Sequence, residues 1–219
     1  MIITESVRKC NLFSGLSDTE IKNAFQLLHM HVRQYAKNTV IKQTDDLLPA
    51  FGMVESGAVT VYMNDFDGNC LVMSRASASD TFGESLCFLQ KRTPFYIVAT
   101  EQTIIYWFSC DFLRDHFESD NSIALRNRFI ASLATRTLAM NDRIQVLSKF
   151  TIREKLITYF TQCRNNADSN TFTLTLDRAA LASYLGTERS ALSRELSKMQ
   201  KEGILKAEKN KITLIHLPK

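Results

Sequence analysis

Residues 176–205 read LDRAALASYLGTERSALSRELSKMQKEGIL, which has the spacing of two helices joined by a tight turn. Residues 178–184 predict a short first helix with Ala180, Leu181 and Tyr184 on one face. After Leu185, Gly186 supplies the residue that can take the positive φ of a sharp inter-helix turn, where a β-branched residue would be strained. Thr187 is placed to cap the second helix, because its hydroxyl can accept from a free N–H of the first turn. That helix, about 188–202, turns Ala191, Leu192, Leu196 and Met199 inward. Thr187, Arg189, Ser190, Ser193, Arg194, Ser197 and Lys198 remain as candidate contacts on the outside. Such a surface suits a DNA major groove, since arginine bonds a guanine edge bidentately while short hydroxyl side chains permit close approach.

An amphipathic helix pair with a glycine turn also occurs in proteins that bind nothing. Charge separates the two readings. Residues 150–219 carry 12 Lys or Arg against 7 Asp or Glu, a net +5, whereas residues 1–149 carry 15 against 16, a net −1. The whole positive excess lies in the segment that would meet phosphates. A strand pair, 204–208 and 211–216 with its turn at Lys209 and Asn210, follows as the wing expected beside a reading helix.

With 219 residues the chain is long enough for two cores, and 45% hydrophobic against 23% charged residues is the composition of a soluble globular protein. No apolar run reaches the ~18 residues of a membrane span and no secretory leader is recognisable, so a cytoplasmic location without membrane contact is expected. Cys10, Cys70, Cys87, Cys110 and Cys163 are scattered without a CxxC pair, which argues for reduced thiols and against a zinc or iron–sulfur knot.

Upstream of the reader, residues 4–28 predict short helices, with Leu12, Phe13, Leu16, Ile21, Phe25 and Leu28 at helical spacing and a capping box at Ser17 and Glu20. Residues 29–109 change to short β-branched or aromatic runs at 32–35, 39–42, 51–55, 58–63, 70–74 and 103–108, with turns at Ser56-Gly57 and Asp67-Gly68. This pattern predicts a small antiparallel roll or jelly roll. A short helix at 111–116 and a long one at about 121–147 follow. On the long helix Ile123, Ile130, Leu133, Thr137, Met140, Ile144 and Leu147 recur at three- and four-residue steps, interrupted at Arg126. Some 27 residues of helix span about 40 Å, more than a small roll can cover, so this seam predicts a homodimer. Phe150-Thr151 marks a hinge, and a helix at 152–163 opens the second domain.

In order and spacing, LFSGLSDTEI at 12–21, FGMVESGAVTVY at 51–62, DTFGES at 80–85 and the LGTERSALSRELSKMQKEGIL run together resemble the cyclic-AMP receptor protein and fumarate/nitrate regulator (Crp/Fnr) superfamily of bacterial transcription regulators. The resemblance covers nearly the whole chain. It implies an α+β architecture divided into an N-terminal antiparallel β-roll like a cyclic-nucleotide-binding domain (1–118), a long dimerisation helix with its hinge (119–149) and a C-terminal winged helix-turn-helix (150–219). It also implies a homodimer that binds inverted-repeat operator DNA, contacts RNA polymerase, has no enzymatic activity and responds to a small-molecule effector in the roll. Arg189, Ser190, Ser193 and Arg194 fall at recognition positions, Arg194 matching the arginine that usually contacts guanine. Ser190 stands where well-known branches carry glutamate, so the operator need not follow a familiar consensus.

For the effector, the resemblance points to Gly83, Glu84, Ser85, Arg92 and Thr93 as a phosphate-and-ribose cradle, with Met140 and Asn141 on the long helix facing the base. The segment departs from a cyclic-nucleotide receptor in two ways. Aligned on residues 95–99 it is one residue short, and Pro94 replaces a backbone donor. Met140 and Asn141 stand where paired hydroxyls would be. A signal other than cyclic AMP is therefore expected, the alternative being a true receptor that uses Glu84 and Arg92. His29 and His31 would share one side of a strand, but no third ligand accompanies them. The clustered N-terminal cysteines of iron–sulfur regulators are missing, and neither His116 nor Cys87 is singled out as a haem ligand, so no metal, haem or iron–sulfur cofactor is indicated.

Overall fold

The computed structural model describes residues 3–64, 70–111 and 120–216. The expected turn at Asp67-Gly68, most of the helix at 111–116, and His116 lie outside them. The chain forms two compact units, Met1–Ala134 and Thr135–Lys219.

The first unit opens with helices α1 (Glu5–Lys9) and α2 (Asp18–Leu27). Thr4 caps α1 and Ser17 caps α2, the latter through the expected capping box with Glu20. Eight strands follow: β1 (His31–Tyr35), β2 (Val40–Lys42), β3 (Ala50–Ser56), β4 (Ala58–Asn64), β5 (Cys70–Ser77), β6 (Thr81–Phe82), β7 (Tyr96–Ala99) and β8 (Thr103–Ser109). They form two four-stranded antiparallel sheets ordered β1-β8-β3-β6 and β2-β7-β4-β5. Helix α3 (Glu84–Leu89) lies between β6 and β7.

In the β1-β8-β3-β6 sheet the inner strands β8 and β3 are covered on both faces, while β1 is largely exposed. Alternate residues Phe51 and Met53 of β3 and Tyr106 and Phe108 of β8 pack with Phe13, Phe25 and Leu28. The intervening Val54, Ile105 and Trp107 face the other sheet with Val59, Val61 and Ile97. Double coverage explains why FGMVES carries no polar alternation. Trp107 fills the space between the sheets, edge-on to Phe82 at 5.4 Å and donating its indole N–H to the Tyr35 hydroxyl at 3.2 Å.

The long helix α4 (Asp120–Leu147) starts in the first unit and ends in the second. Leu125 and Phe129 are buried in the roll's helix-side core, and Leu133, one further turn along that face, packs half-buried on the same core. Leu133 therefore serves the roll of its own chain. Ile123, Ile130, Met140, Ile144 and Leu147 are exposed by 41–60%, and Thr137 is exposed as well.

The second unit adds α5 (Ile152–Ala167), β9 (Thr171–Thr173), α6 (Arg178–Tyr184), α7 (Arg189–Lys201), β10 (Leu205–Glu208) and β11 (Lys211–Leu214), with a three-stranded sheet ordered β10-β11-β9. Its core joins Leu156, Phe160, Phe172, Leu181, Leu192, Leu196 and Met199 to Val146 from the end of α4. Gln162 also donates to the Asp142 carbonyl at 3.0 Å, and the Arg143 guanidinium lies 5.4 Å from the Tyr184 ring centre. The last turns of α4 are thus held on the reader across Phe150-Thr151, where Thr151 caps α5 in a box with Glu154.

Several local expectations need correction. On α6 the buried residues are Leu181, Ala182 and Leu185, while Ala180 is exposed and Tyr184 half-buried. The core meets the helix one residue further round than the pattern suggested. Asp177 caps that helix by accepting from the Ala180 N–H at 2.8 Å. Thr187 is not the cap of α7; Glu188 holds that position without a side-chain hydrogen bond, because the turn runs one residue longer. Ala191 is half-buried, so Leu192, Leu196 and Met199 supply the inward face of α7. His29 is not on a strand: its φ of 45° places it in the turn before β1, and the two histidines do not share a strand face.

Candidate nucleic-acid interface

Helix α7 is amphipathic in the required sense. With Leu192, Leu196 and Met199 inside, Arg189, Ser190, Ser193, Arg194, Ser197 and Lys198 are all exposed, and Thr187 is half-buried at the turn. Gly186 adopts φ 60°, the left-handed conformation expected of it. The hydroxyls of Ser193 and Ser197 donate back to the carbonyls of Arg189 and Ser193 at 2.9 and 3.0 Å. Their lone pairs face outward, while their protons stay on the helix. The guanidiniums of Arg189 and Arg194 make no hydrogen bond or ion pair among the described residues, so both forks are available for an external acceptor.

Three cations that the sequence did not single out hold this surface. Arg178 on α6 donates through Nη2 to the Lys209 carbonyl at 3.1 Å, tying the wing turn to the helix pair, and burial lowers its pKa from the ordinary value. Lys155 on α5 donates to the Leu185 carbonyl at 2.9 Å, at the end of α6. Arg153, also on α5, makes 2.7 and 3.0 Å bonds to both carboxylate oxygens of Glu202 and a 2.5 Å bond to Glu195. No local pattern announces these contacts, because each partner lies 30 or more residues away.

In the roll, the candidate effector residues go to different places. Gly83 precedes α3 with φ 82° and lies against Leu48, where a Cβ would overlap the leucine side chain. Glu84 is 4% exposed and borders a cavity of about 10 Å³ shared with Leu12, Phe51, Thr81, Phe129, Ser132 and Leu133, room for roughly one water. Ser85 is exposed. Arg92 donates to the Asp45 carbonyl at 2.6 Å, and the buried Thr93 gives its hydroxyl to the Gln43 carbonyl at 2.7 Å. Met140 and Asn141 are exposed and belong to the second compact unit. Among the described residues there is no group of three or more metal-ligating side chains, and all five cysteines are free thiols.

Two family models match in the order of the fold: the cyclic nucleotide-binding domain over residues 32–120 and the Crp-like helix-turn-helix domain over residues 154–219. The chain belongs to the Crp/Fnr superfamily. The anaerobic regulatory protein of Pasteurella multocida is 24% identical over 183 residues, 81% of this Crp/Fnr chain. The match spans 66% of that relative's length, just under two thirds. The catabolite activator protein of Thermus thermophilus has a similar structure, with TM-score 0.50 and 22% identity over 94% of this chain and 93% of that one. So has the c-di-GMP responsive global regulator CLP of Xanthomonas campestris, with TM-score 0.55 and 18% identity over 92% and 100% of the two chains. At these identities the structural likeness speaks for the fold. No described helix is long and apolar enough to cross a membrane.

Proposed function

We propose that this chain is a homodimeric, cytoplasmic, non-enzymatic transcription regulator that inserts α7 into the major groove of an inverted-repeat operator and contacts RNA polymerase. The observation that carries this reading is the outer row of α7, where Arg189 and Arg194 are exposed and uncommitted above a fully buried opposite face. The exposed stripe Ile123, Ile130, Met140, Ile144 and Leu147 supports pairing of two long helices, with Thr137 between them; Leu133, half-buried on its own roll, stands outside the stripe. By role the chain divides into roll (1–118), dimerisation helix and hinge (119–149) and reader (150–219).

Selection of bound duplexes from a random pool tests this. The expected product is an inverted repeat with half-site centres about one helical turn, ~10 bp, apart. Recovery of no enriched duplex at low salt would overturn the reading.

For the signal, the roll is taken to sense a small molecule other than cyclic AMP. Arg92 and Thr93 support this, since both are engaged with the loop at residues 43–45. The match to the cyclic nucleotide-binding domain favours a second reading, a cyclic-nucleotide-responsive regulator. That mechanism needs Arg92 to leave the Asp45 carbonyl and join Glu84 at one ligand.

A further inference from the structure

Lys198 sits on α7 between two kinds of neighbour. At 100° per residue it lies 40° from Arg194 on the outer side, and 60° and 40° from Glu195 and Glu202 on the inner side. Glu195 and Glu202 are its i−3 and i+4 neighbours, the two positions from which a helical carboxylate pairs with a lysine. Left to the helix alone, Lys198 would share its charge with one or the other in a weak pairing. In the structure both carboxylates are bonded to Arg153 of α5, and Lys198 reaches neither within ion-pair distance, although its charge lies near enough to Glu202 to favour the ionised carboxylate.

The geometry of Arg153 explains the preference. A guanidinium offers a planar fork that matches the two oxygens of Glu202, with its Nε left for Glu195, whereas an ammonium is a single point donor. The side chains of Arg153, Glu195 and Glu202 are 22–36% exposed, and the bond to Glu195 is the more sheltered of the contacts. The hydrogen bonds from Arg153, with a smaller contribution from the Lys198 charge, hold the Glu202 carboxyl below its usual pKa.

We infer that Arg153 is a positioning residue for DNA binding: by holding Glu195 and Glu202 it leaves the Lys198 ammonium free for a backbone phosphate. This rests on the proposed DNA-binding function. Arg153 itself need not touch DNA. It acts by withholding two competing anions from the cation that does.

The test uses the full-length protein and random-sequence duplex DNA, with affinity measured against salt concentration. Every phosphate contact contributes to the slope of log K against log[salt], whatever the sequence. Arg153→Gln is expected to lower the slope by about one per reading head, because Lys198 then shares its charge with the freed carboxylates. Lys198→Gln should lower it equally, and the two changes together no further. Glu195→Gln with Glu202→Gln should restore the slope in the Arg153→Gln background. Arg153→Lys, with one ammonium for three bonds, should give an intermediate slope and keeps the test open if Arg153→Gln melts early by circular dichroism. A wild-type slope in Arg153→Lys together with folded Arg153→Gln, additive effects of the Arg153 and Lys198 changes, or no recovery on removing the carboxylates would each overturn the inference. Failure of the wild type to bind duplex at low salt would instead remove the DNA-binding reading itself.

Discussion

Arg92 donates its Nη1 hydrogen to the main-chain carbonyl of Asp45 at 2.6 Å, so the guanidinium that the resemblance assigns to a phosphate cradle is engaged with the loop between β2 and β3. Thr93 completes the arrangement: its N–H donates to the Asp46 carbonyl, its carbonyl accepts from the Asp45 N–H, and its hydroxyl donates to the Gln43 carbonyl. A cyclic phosphate would have to displace Arg92 and would still lack the backbone donor that Pro94 deletes. Calorimetry with cyclic AMP and cyclic GMP is therefore expected to give the same heats for wild type and Arg92→Ala. Micromolar binding that disappears in both Arg92→Ala and Glu84→Ala would establish the cyclic-nucleotide receptor instead.

Arg194→Ala is expected to abolish discrimination at its base pair and Arg189→Ala to weaken it, each by ~1–3 kcal/mol per half-site. Two symmetric heads double the loss. Both side chains are exposed, so the melting temperature should not move. Titration of the selected operator checks this; unchanged affinity in Arg194→Ala would take α7 out of the groove.

Ile130 and Ile144 are 56% and 60% exposed on the isolated chain, so their replacement by lysine should leave the fold of that chain intact. In a paired seam the same charges would be buried without partners, at a cost that parts the subunits. Sedimentation of the Ile130→Lys, Ile144→Lys protein should give a folded monomer. Leu133→Lys should differ by destabilising the roll, because Leu133 packs on its core. A dimer that survives the double change would place the interface elsewhere.

Cys70 is exposed while Cys10, Cys87 and Cys110 are buried in the roll, so a maleimide should label Cys70 first and these three only on unfolding. Burial pushes the Cys10 thiol up from 9.0 to about 11. Since the native state holds this proton more tightly than the unfolded chain, the contribution is complete below pH 9 and is lost as the pH rises to about 11. The slope is at most about 1.4 kcal/mol per pH unit. Cys10→Ala should remove this alkaline component from denaturant titrations, and an identical pH profile would refute its assignment to Cys10.

Much of what depends on neighbours three or four positions away was legible in the sequence, although the cap of α7, expected at Thr187, was not. The Ser17–Glu20 box, the left-handed turn at Gly186 and the inward Leu192, Leu196 and Met199 are set by local geometry that repeats with the helix. The same local rules located six of the roll's eight strands, the apolar periodicity of α4 and the two-stranded wing. The order of these elements was enough to point to the superfamily. Local rules did not show that α3 forms after Gly83, since six residues carry too little periodicity to declare a helix. They also could not choose between Ala180 and Ala182 on α6, where adjacent alanines differ only in which one the core meets.

Contacts between distant segments were decided only by the tertiary structure. Leu133 shares the heptad spacing of Ile130, but the roll behind it takes it out of the exposed stripe. Arg92 has the right type for a cradle and a carbonyl 47 residues away that claims it. Arg153 meets Glu195 and Glu202 across 42 and 49 residues, and nothing near it in sequence marks it as special. A side chain's type and helical phase are local properties, whereas the partner that satisfies its charge or covers its surface is chosen only when the chain closes on itself.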